Sequence, residues 1–478
     1  MIALSHAALR WMDALWDPHA RLLWCEPARA LAADGVRRHM VRESVWYALG
    51  LCLRDDPGDV ARANEIVGVV LALQYRAPGA VWHGTWPRAP EDAPPPPDAV
   101  VWRDYDPNWR QFIGATLLVL LRDFGALLNA ALRAAIDAAL REAVLGEPQD
   151  RVTAAYTNIA MLRAWLEVEV GAQLGEPAWV VRGAALAAAV EERYVRFGAL
   201  DEFNSPTYYG VDLLAAALWA RRSARLAAAG ARMEALLWQD IADFYHAGLG
   251  NLCGPYARAY GMDLRAYVGL VSLWLAQVDS AAPLPPITAA LEHGHDVCLA
   301  PFIGLLGARL PPALQGAAVF GRFGGERLLK RTLPSGAVAS AWLGTNVMIG
   351  GLRGGKAVAQ GQYHPATVHW RADAGGAAGV RAGIEGATGV EGAREAEGAA
   401  TLHWLRLRSA GPLHASAAAG VLTVESRAGQ DIALETDVGT AMALPAAGVV
   451  RLPGARIEVT SSTDPAAGTV HRLGVSLR

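Results

Sequence analysis

Lysine is almost missing from this chain. Of its 43 Lys and Arg residues only Lys330 and Lys356 are lysines, and with alanine so abundant the skew reads as codon bias without functional weight. An excess of either charge is missing too, because 43 cations face 46 anions for a net charge of −3. No broad basic surface therefore offers itself to nucleic acid or to an anionic membrane, and an acidic ligand must be met by local arginine clusters. Cysteine is scarce: Cys25, Cys52, Cys253 and Cys298 lie far apart, with no CxxC pair, which argues against a disulfide framework or a zinc site built on them. No apolar run approaches the roughly eighteen residues of a membrane span; the stretch 115–121 is soon broken by Arg122 and Asp123. The N-terminus MIALSHAALRWMDALW lacks the basic and apolar regions of a secretory signal and reads as an amphipathic helix. The expectation is a cytoplasmic protein, or a periplasmic or secreted one whose leader has been removed. Its oligomeric state is open.

The usual nucleotide, metalloprotease and esterase signatures are missing as well. No GxGxxG follows a strand, and GxxxxGK[ST], HExxH and GxSxG do not occur. The glycines of GRFGGE and GGLRGGKA belong to hairpin turns rather than phosphate cradles.

What remains is organised in two parts. At 478 residues the chain is longer than one core usually serves. Up to about residue 310, apolar residues recur at helical spacing, predicting helices over 36–54, 58–74, 108–122, 125–144, 151–172, 177–198, 208–228, 231–249 and 262–278. The stretch APEDAPPPPDAV, 89–100, is too proline-rich for a helix. Successive hairpins without intervening strands suggest a bundle, a solenoid or a closed α/α toroid, and no sequence repeat supports the solenoid. Beyond Pro311-Pro312 glycine rises and short runs alternate: Leu405 and Leu407 against Arg406 and Arg408, then GVLTVES, IALETDV, RIEVTSS and TVHRLGVSL. That is the pattern of an antiparallel β-sandwich. The expectation is a multidomain α+β chain, with an α/α toroid, an incomplete barrel of helix hairpins, over 1–310 and an antiparallel β-sandwich over 311–478.

Four segments could carry chemistry. DEFNSPTYYGVD, 201–212, breaks two helices with Asn204, Ser205, Pro206 and Thr207. Its Tyr208 and Tyr209 either pack on neighbouring hairpins or present one hydroxyl to a cleft as acid or base. AAYTNIAMLRAW, 154–165, places Asn158 inside a helix, where a poor helix former needs a partner or a purpose, with Arg163 five residues on. In GPYARAYGMDLRAY, 254–267, Tyr256, Arg258, Tyr260, Asp263 and Arg265 mix rings that stack on sugars with guanidinium groups that hold carboxylates; a structural Arg–Asp pair explains part of it equally well. WRDYDPNWRQF, 102–112, has a similar mixture in Asn108, Trp109 and Arg110, with Asp106-Pro107 capping the next helix. Among the histidines, His293 and His295 flank Gly294 near the end of the helical part. His364 and His369 fall in GQYHPATVHWR, a segment too polar and aromatic for an ordinary strand, which suggests a site contributed across the domain interface.

An α-then-β chain with Asn158, a tyrosine in SPTYYG and a histidine in YHPATVHW resembles the polysaccharide lyases of the heparinase II/III-like and alginate-lyase-like type. Here Asn158 and Tyr208 are 50 residues apart and His364 lies 156 beyond the tyrosine, in the order that family uses. The resemblance implies β-elimination at a uronate in an acidic polysaccharide or oligosaccharide: removal of the C5 proton, cleavage of the C4–O bond and an unsaturated product. It implies Asn158, Tyr208 or Tyr209, and His364 (with His369 as its alternative) as catalytic residues. Asn158, helped by Arg163, Arg258 or a protonated histidine, would neutralise the carboxylate and the developing enolate. A tyrosine, its pKa lowered by nearby cations, would act as base and then as acid. Asn108, Trp109, Asn204, Tyr256, Tyr260, His295 and His369 join Arg163 and Arg258 as substrate-binding candidates. The scheme requires no metal or other cofactor and assigns no metal ligands, though a divalent ion is compatible with it. Two other readings stand beside it. One is a glycoside hydrolase using two of Asp106, Glu202, Asp212 and Asp263; the other is a non-catalytic carbohydrate-binding protein with Trp and Tyr stacking platforms.

Overall fold

The computed structural model describes residues 3–25, 36–288, 291–315, 320–355, 361–372, 383–384, 401–439, 441–464, 466 and 468–477. The GGLRGGKA segment therefore leaves the described residues at Lys356. The helices are α1 (Ala3–Leu15), α2 (Val41–Arg54), α3 (Asp59–Ala72), α4 (Trp109–Asp123), α5 (Ala130–Leu145), α6 (Thr157–Leu174), α7 (Pro177–Phe197), α8 (Tyr208–Arg222), α9 (Ala227–Phe244), α10 (Leu270–Leu275) and α11 (Ala300–Leu306). No described helix is long and apolar enough to cross a membrane.

Helices α2, α4, α6 and α8 pack side by side in succession, and α11 touches both α8 and α2, which closes the ring. Helices α3, α5, α7 and α9 form an outer layer, each against the inner helix before it, and α1 lies on α11. This is an α/α toroid of four full hairpins whose last position is filled by short helices. The sequence explains the sorting. Inner helices are buried on every side: α6 buries all residues from Thr157 to Gly171 and α8 all from Tyr209 to Trp219. Outer helix α7 buries only a stripe of Trp179, Gly183, Ala187, Val190 and Tyr194, at helical spacing.

The helix expected over 262–278 shrinks to α10. Asp263 instead builds a turn, its carbonyl accepting from Ala266 N at 3.0 Å and its side chain from Arg265 N at 2.8 Å. Local hydrogen bonding of this kind competes with helix formation.

The C-terminal part is an antiparallel β-sandwich. Among the described residues one sheet has seven strands, ordered 441–443, 433–436, 401–408, 366–372, 347–353, 338–343 and 327–332; the other has six, ordered 383–384, 448–452, 455–464, 468–477, 421–426 and 414–418. Between them lies a core of Ile349, Val368, Trp370, Leu405 and Leu407 against Leu422, Val424, Ile457 and Leu473. The opposite face of the seven-stranded sheet, with Ala339, Ala341, Met348 and Leu352, joins the core of the helical part. Contact there is so close that a Cβ on Gly350 would overlap the backbone of Gly254. The segment 366–372, expected to be too polar for a strand, is thus a central strand buried on both faces. Its alternate residues Thr367 and His369 meet the helical part.

Candidate functional site

The inner helices all run the same way round the ring, and their first residues converge on one cavity of about 520 Å³. Arg42 comes from the start of α2, Asn108 precedes α4, Asn158 opens α6, and Thr207 and Tyr208 open α8. Loop residues Arg258 and Tyr260, with His295 and Asp296 of the short 3-10 turn Gly294–Leu299, complete the wall. Four helix N-termini are aimed at this space, and their dipoles favour a negative ligand, although Asn158 N already donates to Glu202 Oε2 at 3.3 Å and Tyr208 N to Ser205 Oγ at 3.0 Å. Arg42 and Arg258 add formal charge.

Tyr208 is the centre of the polar network. Arg258 Nη2 donates to its hydroxyl at 2.6 Å, and the Tyr208 and Tyr260 hydroxyls share a hydrogen bond of 2.7 Å. The Arg258 guanidinium also lies 3.8 Å from the centre of the Tyr208 ring. Arg258 is steered in turn by Glu202 Oε1 at 2.8 Å and by Gln362 Oε1 at 3.2 Å from its Nε. Burial, with Tyr260 alongside, raises the Tyr208 hydroxyl above its ordinary range in spite of Arg258. The expectation of a tyrosine lowered by its cations is therefore corrected: desolvation of the phenolate outweighs one guanidinium.

Asn158 lies beside this network, wholly buried, its amide donating to Glu202 Oε2 while Thr157 Oγ1 donates to the same oxygen at 3.0 Å. Its own Oδ1 has no partner among the described residues. Behind it Asp212 is wholly buried, and burial together with the neighbouring Glu202 charge pushes its carboxyl far up. Asn108 links outward, donating to the Tyr156 hydroxyl at 2.5 Å and accepting from Arg151 at 2.8 Å. Burial pushes Tyr156 up to about 12. Asp106, whose carboxyl burial also raises, lines the wall and accepts from Asn108 N at 2.9 Å.

Of the residues singled out from the sequence, Asp106, Asn108, Asn158, Tyr208, Arg258, Tyr260 and His295 meet at this cavity. The other catalytic and substrate-binding candidates do not. Tyr209 points into the core, its hydroxyl donating to Asp240 at 2.6 Å, and burial drives it far above the usual range. His364 and His369 are wholly buried at the sheet's contact with the helical part, their Nε2 atoms 3.2 and 2.9 Å from the carbonyls of Ala259 and Met262. Tyr256 presents its ring edge-on to both histidines, and its backbone pairs with His364. Arg163 is held by Glu167 at 2.7 Å and by the carbonyls of Pro148 and Gln149. Asn204 donates to the carbonyls of Cys253 and Pro255. Trp109 lines an adjoining groove of about 540 Å³ that shares Arg42 with the cavity. Where the sequence suggested a site contributed across the domain interface, the described residues lining this cavity all precede residue 300, and the β-module reaches it at one remove, through Gln362 on Arg258.

Arg42, Tyr156 and Asp296 line the cavity without having been singled out. Tyr156 and Asp296 sit within or beside segments already noted, two residues from Asn158 and one from His295. Arg42 carries no sequence signal, because only ring closure brings α2 to the site.

A family model described as "Domain of unknown function (DUF8769)" matches residues 2–308. No curated protein matches the chain. Among solved structures, the chondroitin AC lyase of Streptomyces coelicolor A3, in complex with chondroitin sulphate, aligns over 99% of this chain and 76% of its own. The identity is 13% and the TM-score 0.43.

Proposed function

The chain belongs to the DUF8769 family, whose description names no activity, and from the cavity itself we propose that it is a polysaccharide lyase cleaving uronate-containing chains by β-elimination. The observation that carries this reading is the Tyr208 hydroxyl, held by Arg258 and Tyr260 inside a partly enclosed space at four helix N-termini, beside Asn158. Arg42, the helix N-termini and the second amide hydrogen of Asn158 would receive the carboxylate and stabilise the enolate that forms when C5 loses its proton. Tyr208, as the phenolate left once its own proton has passed to solvent, would take the C5 proton and deliver it to the C4 oxygen as its bond to C4 breaks, which regenerates the phenolate. Arg258 serves as counter-charge to the transient phenolate, and Glu202 fixes both Arg258 and Asn158. Histidines 364 and 369 have no part in this scheme.

The test is incubation with glucuronan, alginate, glycosaminoglycan and rhamnose-glucuronate polymers, monitored at the ultraviolet band of an unsaturated uronate. Growth of that band on any of them is expected; silence across all four would remove the reading. A second reading is favoured by one observation, that the carboxyls of Asp106 and Asp296 line the same cavity. Two carboxyl groups at one bond are what glycoside hydrolysis requires. New reducing ends without ultraviolet absorbance would establish it instead.

A further inference from the structure

The histidines and aspartate of the HGHD turn are unused by the scheme above. The ligand atoms of His293, His295 and Asp296 all lie within 4.8 Å of one another, close enough to meet on one ion after small side-chain rotations. We propose that these three residues form a binding site for a divalent transition metal of the zinc type. Two imidazoles and one carboxylate favour such an ion over calcium or magnesium, which prefer all-oxygen shells. Three protein ligands leave one tetrahedral position open. His295 and Asp296 line the cavity, so that position faces the ligand space.

The turn is built to hold this geometry. His293 adopts a left-handed backbone, φ 53° and ψ 32°, which is unfavourable for a residue with a side chain and is retained where surroundings enforce it. Gly294 next to it is closely packed, since a Cβ would approach Leu291 Cβ at 3.0 Å and the Trp11 ring at 3.1 Å. Asp296 N donates back to the His293 carbonyl at 3.0 Å, bringing the aspartate round toward the histidines. The Tyr260 ring, 4.3 Å from the His293 ring, backs the first ligand, and the two imidazole rings are 5.6 Å apart. Arg42 is the opposing influence, because its charge acts on Asp296; its guanidinium is itself bonded to Glu43, at 3.2 Å through Nε and 2.5 Å through Nη2. A dication here would also neutralise a substrate carboxylate, and that clause alone rests on the lyase reading.

The full chain, stripped with a chelator and dialysed, is titrated with Zn²⁺ by calorimetry and with Co²⁺ by visible absorption. One equivalent of each is expected, with Co²⁺ giving the intense bands of a four- or five-coordinate nitrogen–oxygen site. His293→Gln, at a partly exposed position, and Asp296→Asn should each weaken Zn²⁺ by more than roughly tenfold, while metal-free circular dichroism stays that of the wild type. Failure of the wild type to bind either ion, or equal binding by the two folded variants, overturns the site. The Co²⁺ spectrum of the wild type decides the matter should either variant misfold. These readouts need no substrate, so failure of the lyase assay leaves them intact.

Discussion

Tyr208 and Tyr209 are neighbours in sequence and about 100° apart on a helix, and that rotation separates their roles. In the lyase reading Tyr208→Phe removes the group that moves the proton, and turnover should fall by about 10²–10⁴-fold while substrate binding, measured by calorimetry, changes little. Tyr209→Phe should do the reverse. It leaves the buried Asp240 carboxyl, already raised to about 6 by burial, short of a donor, lowering unfolding stability by about 1–3 kcal/mol with turnover retained. Asn158→Ala should reduce turnover by roughly 10²–10³-fold, as for loss of one enolate-stabilising donor. Since burial holds Tyr208 protonated, the phenolate becomes more accessible as pH rises. Initial rate should therefore still be increasing between pH 7 and about 10, where an ordinary tyrosine would be half-ionised; a plateau near neutrality would exclude Tyr208 as the base.

At the level of single elements, the strand 366–372 shows where sequence reading succeeds and where it stops. Its polar and aromatic residues were visible and argued against an ordinary strand, because a strand whose polar side chains meet another domain cannot be told from a loop until the covering segment is known. Segment 245–265 supplies that cover, with carbonyls of Ala259 and Met262 waiting for His364 and His369. The inner helices were readable because apolar residues recur through α6 and α8 at helical spacing, and the hairpins left a toroid among the architectures open. The cavity was readable only as separate segments, because Asn158, Tyr208, Arg258 and His295 are joined by ring closure rather than by spacing. The two histidines carry their own consequence. Burial lowers His364 to about 3 and His369 to about 4, against about 6.5 in the unfolded chain. Their stabilisation is complete above about pH 6.5 and is lost as pH falls toward 4, because the unfolded state then binds protons that the folded state refuses. In His369→Gln, the slope of unfolding free energy against pH in that window should be shallower than wild type by up to about 1.4 kcal/mol per pH unit, measured by urea titration at stepped pH. An unchanged slope would mean that His369 is already charged in the native state.

For the whole molecule, the seven-stranded sheet faces two cores at once. The helical part therefore lacks a finished surface where Ala341, Met348 and Leu352 would cover it. Residues 1–310 expressed alone keep every lining residue of the cavity, yet should expose a large apolar face, aggregate, and lose the Gln362 brace on Arg258. Gly350→Ala tests the same junction within the intact chain. A methyl there meets the Gly254 backbone, and overpacking of this kind costs about 1–3 kcal/mol, read as a lower thermal midpoint.

The closing contact of the ring, α11 against α2, joins residues 41–54 to residues 300–306. During synthesis at about 5–20 residues per second, α2 is made on the order of ten to fifty seconds before its last neighbour exists. Through that interval the face of α2 that α11 will cover stands open on the ribosome, and because such distant pairings form slowly, the newborn helical part is a natural client for holding chaperones until α11 arrives.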